Sequence, residues 1–129
     1  RIAEAKLDEL TGVGLIAARA ECLRALARAV CDGEVSLGPG PDPTSCVERL
    51  QAIPGVGPWT AHYIAMRSLR WPDAFPHGDL GLRKAAEGRS AAELLELAEA
   101  WRPWRAYAAM HLWRMPAIGL CAPNKEPLK

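Results

Sequence analysis

β-Branched residues are scarce in this chain. Its 129 residues include five Val, five Ile and three Thr, against 23 Ala and 16 Leu. Residues that suit a pleated strand are few and strong helix formers abound, which excludes an all-β fold and argues against a large sheet. Long apolar runs are missing too: no stretch of 18 apolar residues occurs, so no transmembrane helix is expected. The opening Arg1-Ile2-Ala3-Glu4 has neither an initiator Met nor the basic region and apolar run of a signal peptide. Cys22, Cys31, Cys46 and Cys121 show no C-x-x-C spacing, so no zinc site or cysteine-ligated cluster is indicated. The first three sit among apolar residues and read as reduced core residues of a cytosolic protein. A net charge of +1 carries no nucleic-acid signature, and the excess of Arg over Lys, 12 to 4, fits GC-rich codon usage in so Ala-rich a chain. What remains is one domain, half hydrophobic and long enough to bury a core.

The apolar spacing predicts a string of helices. A short one runs over about 3–10. Ile16, Ala20, Leu23, Ala27 and Val30 then form a helical stripe, with Arg24 and Arg28 facing water and Asp32-Gly33 ending it. Gly and Pro crowd residues 33–43, a loop. Asp42-Pro43 reads as an N-cap and first helical residue. That helix carries Cys46, Val47 and Leu50 to about Ile53, and Pro58 opens the next through Trp59, Tyr63 and Met66. After an irregular segment over 70–78, Asp79 caps a short helix. Ser90-Ala91-Ala92-Glu93 is a capping box. A last helix puts Trp104, Tyr107, His111 and Met115 on one stripe, which assigns Trp104 and Tyr107 to the core and packs His111. The tail after Pro116 is expected to fray.

The stretch Leu50-Gln51-Ala52-Ile53-Pro54-Gly55-Val56-Gly57-Pro58-Trp59-Thr60-Ala61 joins two helices through a turn with two glycines. Glycine permits positive φ and close approach of another backbone. The second helix starts with free N–H groups and its positive dipole end outward, an anion site that suits a nucleic-acid phosphate. Gly55, Val56, Gly57 and Thr60 are its candidate residues, with Val56 packing inward. The carbonyls of Gln51, Ile53 and Val56 are placed to hold Na+ or K+ bridging to a phosphate oxygen. A bare Gly-x-Gly fits a plain helix connection better. The fuller pattern Leu-x-x-Ile-Pro-Gly-Val-Gly-x-x-Thr-Ala tips the balance toward phosphate.

This stretch resembles the helix-hairpin-helix motif of a DNA glycosylase superfamily, in which a Gly/Pro-rich loop and a catalytic aspartate follow the hairpin. Asp79 stands 22 residues after Gly57, behind the loop Phe75-Pro76-His77-Gly78. Within that superfamily, Gly57-Pro58-Trp59-Thr60-Ala61-His62-Tyr63 and Trp101-Arg102-Pro103-Trp104-Arg105-Ala106-Tyr107-Ala108 are similar to the DNA-3-methyladenine glycosylase II family. The resemblance runs from about Ala5 to Trp113. It implies an all-α glycosylase domain over 1–116, with the hairpin at 50–61, a catalytic loop at 70–80 and a tail over 117–129. The family's enzymes begin earlier, with a small sheet-containing domain, further helices and a residue that fills the space left by a flipped base. The chain is therefore expected to be an incomplete segment that excises little alone and self-associates through exposed apolar surface.

The reaction so implied is hydrolysis of the N-glycosidic bond of alkylated purines such as 3-methyladenine, after the base is flipped out of the duplex. Asp79 stabilises the oxocarbenium-like sugar and helps to activate water; by itself it also fits a plain helix cap. Trp59, Tyr63 and Trp113 match family positions at the pocket, where electron-rich rings suit a cationic base; aromatics at helical spacing also fit a core stripe. Trp59 stands where strand-cutting members carry a Schiff-base lysine, so the enzyme is expected to be monofunctional. No iron–sulfur cluster is expected, because Cys121 is alone in its region. The expected partner is double-stranded DNA with alkylated bases, with no membrane and no obligate protein partner, in the bacterial cytoplasm at the nucleoid. The alternatives are a non-catalytic helix-hairpin-helix DNA-binding module, a glycosylase for another damaged base, and a helical interaction domain.

Overall fold

A computed structural model describes residues 1–40 and 42–118. Cys121 and the rest of the chain from residue 119 lie outside the described residues. A 3-10 turn at Ile2–Glu4 precedes α1 (Leu7–Thr11) and α2 (Ala17–Cys31). Then follow α3 (Pro43–Gln51), α4 (Pro58–Arg67), α5 (Leu80–Ala85), α6 (Ala91–Ala98), a 3-10 turn at Glu99–Trp101, and α7 (Arg105–Ile118). The described residues contain no strand, in line with the shortage of β-branched residues. No helix among them is long and apolar enough to cross a membrane. α7 continues through Pro116, past the boundary expected there.

Local chemistry starts the helices where expected. Asp42 Oδ1 accepts from Ser45 N (3.1 Å) with Pro43 as the first residue of α3. At α6 the capping box closes both ways: Glu93 N donates to Ser90 Oγ (3.2 Å) and Ser90 N to Glu93 Oε2 (2.8 Å). Leu50 of α3, Ala61 and Ala65 of α4, Leu82 of α5, Leu94 and Ala98 of α6 and Ala109 of α7 are fully buried around Phe75. α2 packs on α1 and on the first 3-10 turn, and α5 packs on α7.

α7 turns a different face inward from the one its apolar spacing predicts, and α2 does so in part. On α2 Cys22, Ala25, Leu26 and Ala29 pack on the core; of the expected stripe Ala20 is fully buried and Leu23 and Ala27 are half-buried, while Ile16 is 63% exposed and Val30 is exposed. Arg24 is half-buried rather than solvated, and its Nε is buried with no hydrogen-bond partner among the described residues. On α7 the inward face is Arg105, Ala106, Ala109, Leu112 and Trp113. Trp104 and Tyr107, expected in the core, are 58% and 61% exposed, and His111 is exposed rather than packed. The cause is the same in both helices. Apolar residues occur all round them, Ala and Leu on α2 and Ala and aromatics on α7, so several stripes fit the spacing and neighbours decide between them.

The inward choice of α7 follows from a charge. Arg105, 5% exposed, donates from Nε to Asp73 Oδ1 (2.7 Å) and from Nη2 to Asp73 Oδ2 (2.8 Å). Arg102 also reaches Asp73 Oδ2, and both arginines reach Glu99. Asp73 belongs to the 70–78 segment, whose residues 73–76 are buried. A buried loop needs its polar backbone satisfied. Trp71 N donates to Ala65 O (3.1 Å) and Ala106 N to Pro72 O (2.8 Å), which tie the loop to α4 and α7. Removing one partner of a buried pair strands the other charge. Asp73→Ala is therefore expected to lower stability by about 3–5 kcal/mol, read by urea unfolding; a loss below about 1 kcal/mol, the range of exposed pairs, would contradict the buried role of Asp73.

Candidate functional site

The hairpin between α3 and α4 is built on one glycine rather than two. Gly55 has φ +91°, and a Cβ there would meet Cys22 Cβ and Sγ of α2 at 3.1 Å. Gly57 has φ −85° and ψ 173°, ordinary extended backbone, with open space where a Cβ would stand. Its value is exposure: a side chain there would project over the start of α4. Val56 packs into the core, as expected, and Thr60 is half-buried on the first turn of α4. Val56 N donates to Ile53 O (3.0 Å) and Ala61 N to Gly57 O (3.0 Å). The amides of Gly55 and Gly57 are exposed and have no acceptor among the described residues.

Asp79 lies against this hairpin through Trp59, two residues into α4. Trp59 Nε1 donates to Asp79 Oδ1 (2.8 Å). Trp113 Nε1, from α7, donates to Asp79 Oδ2 (2.8 Å), and Leu82 N caps α5 through the same oxygen (2.9 Å). Gly81 leaves room for this: a Cβ there would stand 2.9 Å from Asp79 Oδ2 and 3.4 Å from Trp113 Cδ1. Burial pushes the Asp79 carboxyl up, but hydrogen bonds from Trp113, Leu82, Trp59 and Gly81 together outweigh it and hold the carboxyl below its ordinary value.

The aromatic residues form one wall beside that carboxylate. Trp59 and Tyr63, one turn apart on α4, stack at 5.2 Å with an interplanar angle of 10°. Trp113 meets Tyr63 edge-on at 6.2 Å, and the Arg67 guanidinium lies 5.7 Å from the Tyr63 ring centre. Trp59 remains 41% exposed. Sequence reasoning places Trp59, Tyr63, Trp113 and Asp79 in one site, and the structure brings them together. It misses the two indole N–H bonds to Asp79, for which sequence spacing has no signal across 34 residues. It also misses Asp73 and Arg105, which look like ordinary surface charges in the sequence. Among the described residues no group of His, Cys, Asp and Glu is arranged to hold a metal ion.

No protein-family model matches the chain. It is 48% identical over 100 residues to a probable bifunctional transcriptional activator/DNA repair enzyme of Mycobacterium tuberculosis, covering 74% of this chain and 20% of that protein. It is 35% identical over 113 residues to DNA-3-methyladenine glycosylase 2 of Escherichia coli, covering 88% of this chain and 40% of that enzyme. A DNA-3-methyladenine glycosylase of Bacillus subtilis is 33% identical over 124 residues, with 89% and 41% covered. The chain thus spans less than half the length of each of these relatives. Among solved structures, a DNA-3-methyladenine glycosidase from Bacillus halodurans matches with a TM-score of 0.74 and 29% identity, over 88% of this chain and 57% of that one. The 3-methyladenine DNA glycosylase of Schizosaccharomyces pombe, solved in complex with abasic DNA, matches with a TM-score of 0.73 and 23% identity, over 90% and 61%. The helical fold is therefore that of these glycosylases.

The geometry makes a direct expectation for Asp79. Trp113→Phe keeps an aromatic side chain and removes the Nε1–H, so the Asp79 carboxyl is expected to titrate at higher pH, read by carboxyl ¹³C NMR. The sign for stability follows: a carboxyl held low in the fold contributes stability above its unfolded value, lost as pH falls through the folded one. Acid unfolding should depend less on Asp79 in the variant. An unchanged Asp79 titration would contradict the hydrogen bond's influence.

Proposed function

We propose that this chain, homologous to part of the DNA-3-methyladenine glycosylases, is the segment of a monofunctional DNA glycosylase that binds duplex DNA and hydrolyses the N-glycosidic bond of alkylated purines. The observation that carries this reading is the Asp79 carboxylate. A plain helix cap accepts one backbone N–H, as Asp79 does from Leu82. Asp79 also takes two indole N–H bonds, from α4 and α7, which a cap does not need. They favour the ionised form and aim it along an aromatic wall.

The residues divide the work. The exposed amides at Gly55 and Gly57 and at the start of α4 donate to a backbone phosphate, which sets position without reading sequence. Asp79 then faces the sugar whose base has been extruded. A carboxylate held below its ordinary pKa is a weak base and a good counter-charge, so its main role is to stabilise the oxocarbenium-like sugar as the base leaves. Trp59 and Trp113 donate to its two oxygens and the first turn of α5 donates as well, which leaves little capacity to take a proton from water. Trp59, the exposed ring of the Trp59–Tyr63 stack, offers its face to a base whose alkylation has made it cationic, worth about 0.5–2 kcal/mol. Trp113 closes the wall. The absence of a lysine at position 59 leaves no amine for a Schiff base there.

The hairpin carbonyls of Gln51, Ile53 and Val56 suit a monovalent ion, since no carboxylate joins them. The Ile53 carbonyl already accepts the Val56 N–H and keeps one lone pair. Na+ or K+ bound there would supply positive charge toward a phosphate oxygen; base release does not pass through it.

The test is release of free 3-methyladenine or 7-methylguanine from alkylated DNA, with DNA affinity measured beside it. In the full-length enzyme that contains this segment, Asp79→Asn is expected to keep DNA affinity and slow release by at least ~10²-fold; near-equal release by that variant and its wild type would contradict the role of Asp79. Gly57→Asp, placing a carboxylate in open space over the start of α4, is expected to weaken DNA binding and flatten its dependence on salt. Equal affinity and salt slope would contradict the phosphate site.

A further inference from the structure

We propose that His62 is a positioning residue for Asp79: its Nδ1 accepts the buried N–H of Phe75 and thereby fixes the turn that delivers Asp79 to Trp59. His62 sits on α4, three residues after Trp59. Its ring stacks on Trp71 at 6.0 Å and meets His77 edge-on at 6.4 Å. Phe75 is 1% exposed, and its N–H has one acceptor among the described residues, His62 Nδ1 at 3.3 Å. A buried amide without an acceptor is strongly disfavoured, so this bond decides where Phe75 lies.

From Phe75 the chain has little freedom before Asp79. The Phe75 carbonyl accepts from His77 N at 2.9 Å, and the Pro76 carbonyl accepts from Asp79 N at 2.9 Å. Two turn bonds thus lock residues 75–79 together. Holding Phe75 on α4 holds the Asp79 backbone against the same helix that presents Trp59 Nε1 to Asp79 Oδ1. One helix grips the aspartate at both ends of its turn.

The acceptor role requires a neutral imidazole with its proton on Nε2. Burial, then His77, then Arg105 disfavour the cation, against an opposite pull from Asp73, and bring the His62 pKa down to about 4. The groups facing the ring are His77 and Asp73 from the loop and Arg105 from α7. Protonation would set an Nδ1–H against the Phe75 N–H, two donors with no acceptor between them.

The inference deepens the reading of Asp79 as the catalytic carboxylate, yet its test needs no base excision. In the 129-residue chain, amide exchange at Phe75 and the Asp79 carboxyl titration are followed by NMR in wild type, His62→Gln and His62→Leu. Gln keeps an acceptor and Leu does not. Phe75 exchange is expected to be at least ~10-fold faster in His62→Leu and within about threefold of wild type in His62→Gln. The Asp79 carboxyl is expected to titrate at higher pH in His62→Leu alone. If His62→Leu does not fold, acidification of the wild type gives the same reading: Phe75 protection should fall as His62 takes a proton at about pH 4. Unchanged Phe75 protection, in the Leu variant or through that titration, or an Asp79 titration indifferent to His62→Leu, would overturn the proposal. A full-length enzyme carrying this segment that shows these signatures yet neither binds nor acts on alkylated DNA would refute the glycosylase reading alone.

Discussion

The carboxylate of Asp79 is the meeting point of three helices. α5 begins on it, α4 reaches it through Trp59 and α7 through Trp113. These donors come from residues up to 34 positions away, so the arrangement exists only when the helices are docked. The same bonds keep the group ionised. A carboxylate buried alone would rise in pKa and neutralise. Here the donors overcome burial, and a negative charge persists at the edge of an aromatic wall.

Much of the remaining structure serves to keep those donors in place. Asp73 draws Arg105 into the interior and so chooses which face of α7 turns inward, the face that carries Trp113. The 70–78 segment, tied to α4 and α7 by backbone bonds, then reaches Asp79 through a buried Phe75. On the other side, Gly55 lets the hairpin press against Cys22 of α2, and Gly57 leaves the first turn of α4 bare. A phosphate held at that turn would lie two residues from Trp59, and Trp59 touches Asp79. On the proposed reading, phosphate binding and charge stabilisation would be coupled through one short helix.

Features that depend on neighbours in the chain are legible in the sequence. The Asp42, Asp79 and Ser90 caps, the Gly55 turn and the inward Val56 all stand as their local chemistry requires. The clustering of Trp59, Tyr63, Trp113 and Asp79 is legible by another route, the resemblance to the glycosylase family, which implies that these positions share a pocket. Features that depend on distant partners are not. The inward face of α7 is misjudged, and that of α2 in part, because apolar residues surround both helices and, in α7, a buried Asp73–Arg105 pair outweighs the apolar stripe. Trp104 and Tyr107 therefore lie outside, stacked on one another at 5.8 Å. Gly57 is misjudged in another way: its place in the motif suggests positive φ, whereas only Gly55 of the two needs it. The role of His62 is silent in the sequence, since a lone histidine on a helix has no local sign of the amide it will hold.

The pH dependence of base release under single-turnover conditions tests the central claim most directly. If Asp79 is a permanently ionised counter-charge held below its ordinary pKa, release of 7-methylguanine should show no ionisation of an essential base between about pH 5 and 8. A rate that instead rises with an apparent pKa between about 5 and 7, and loses that limb in Asp79→Asn, would mean that Asp79 is protonated at the start and works as a general base. That result would contradict the role assigned to the Trp59 and Trp113 hydrogen bonds.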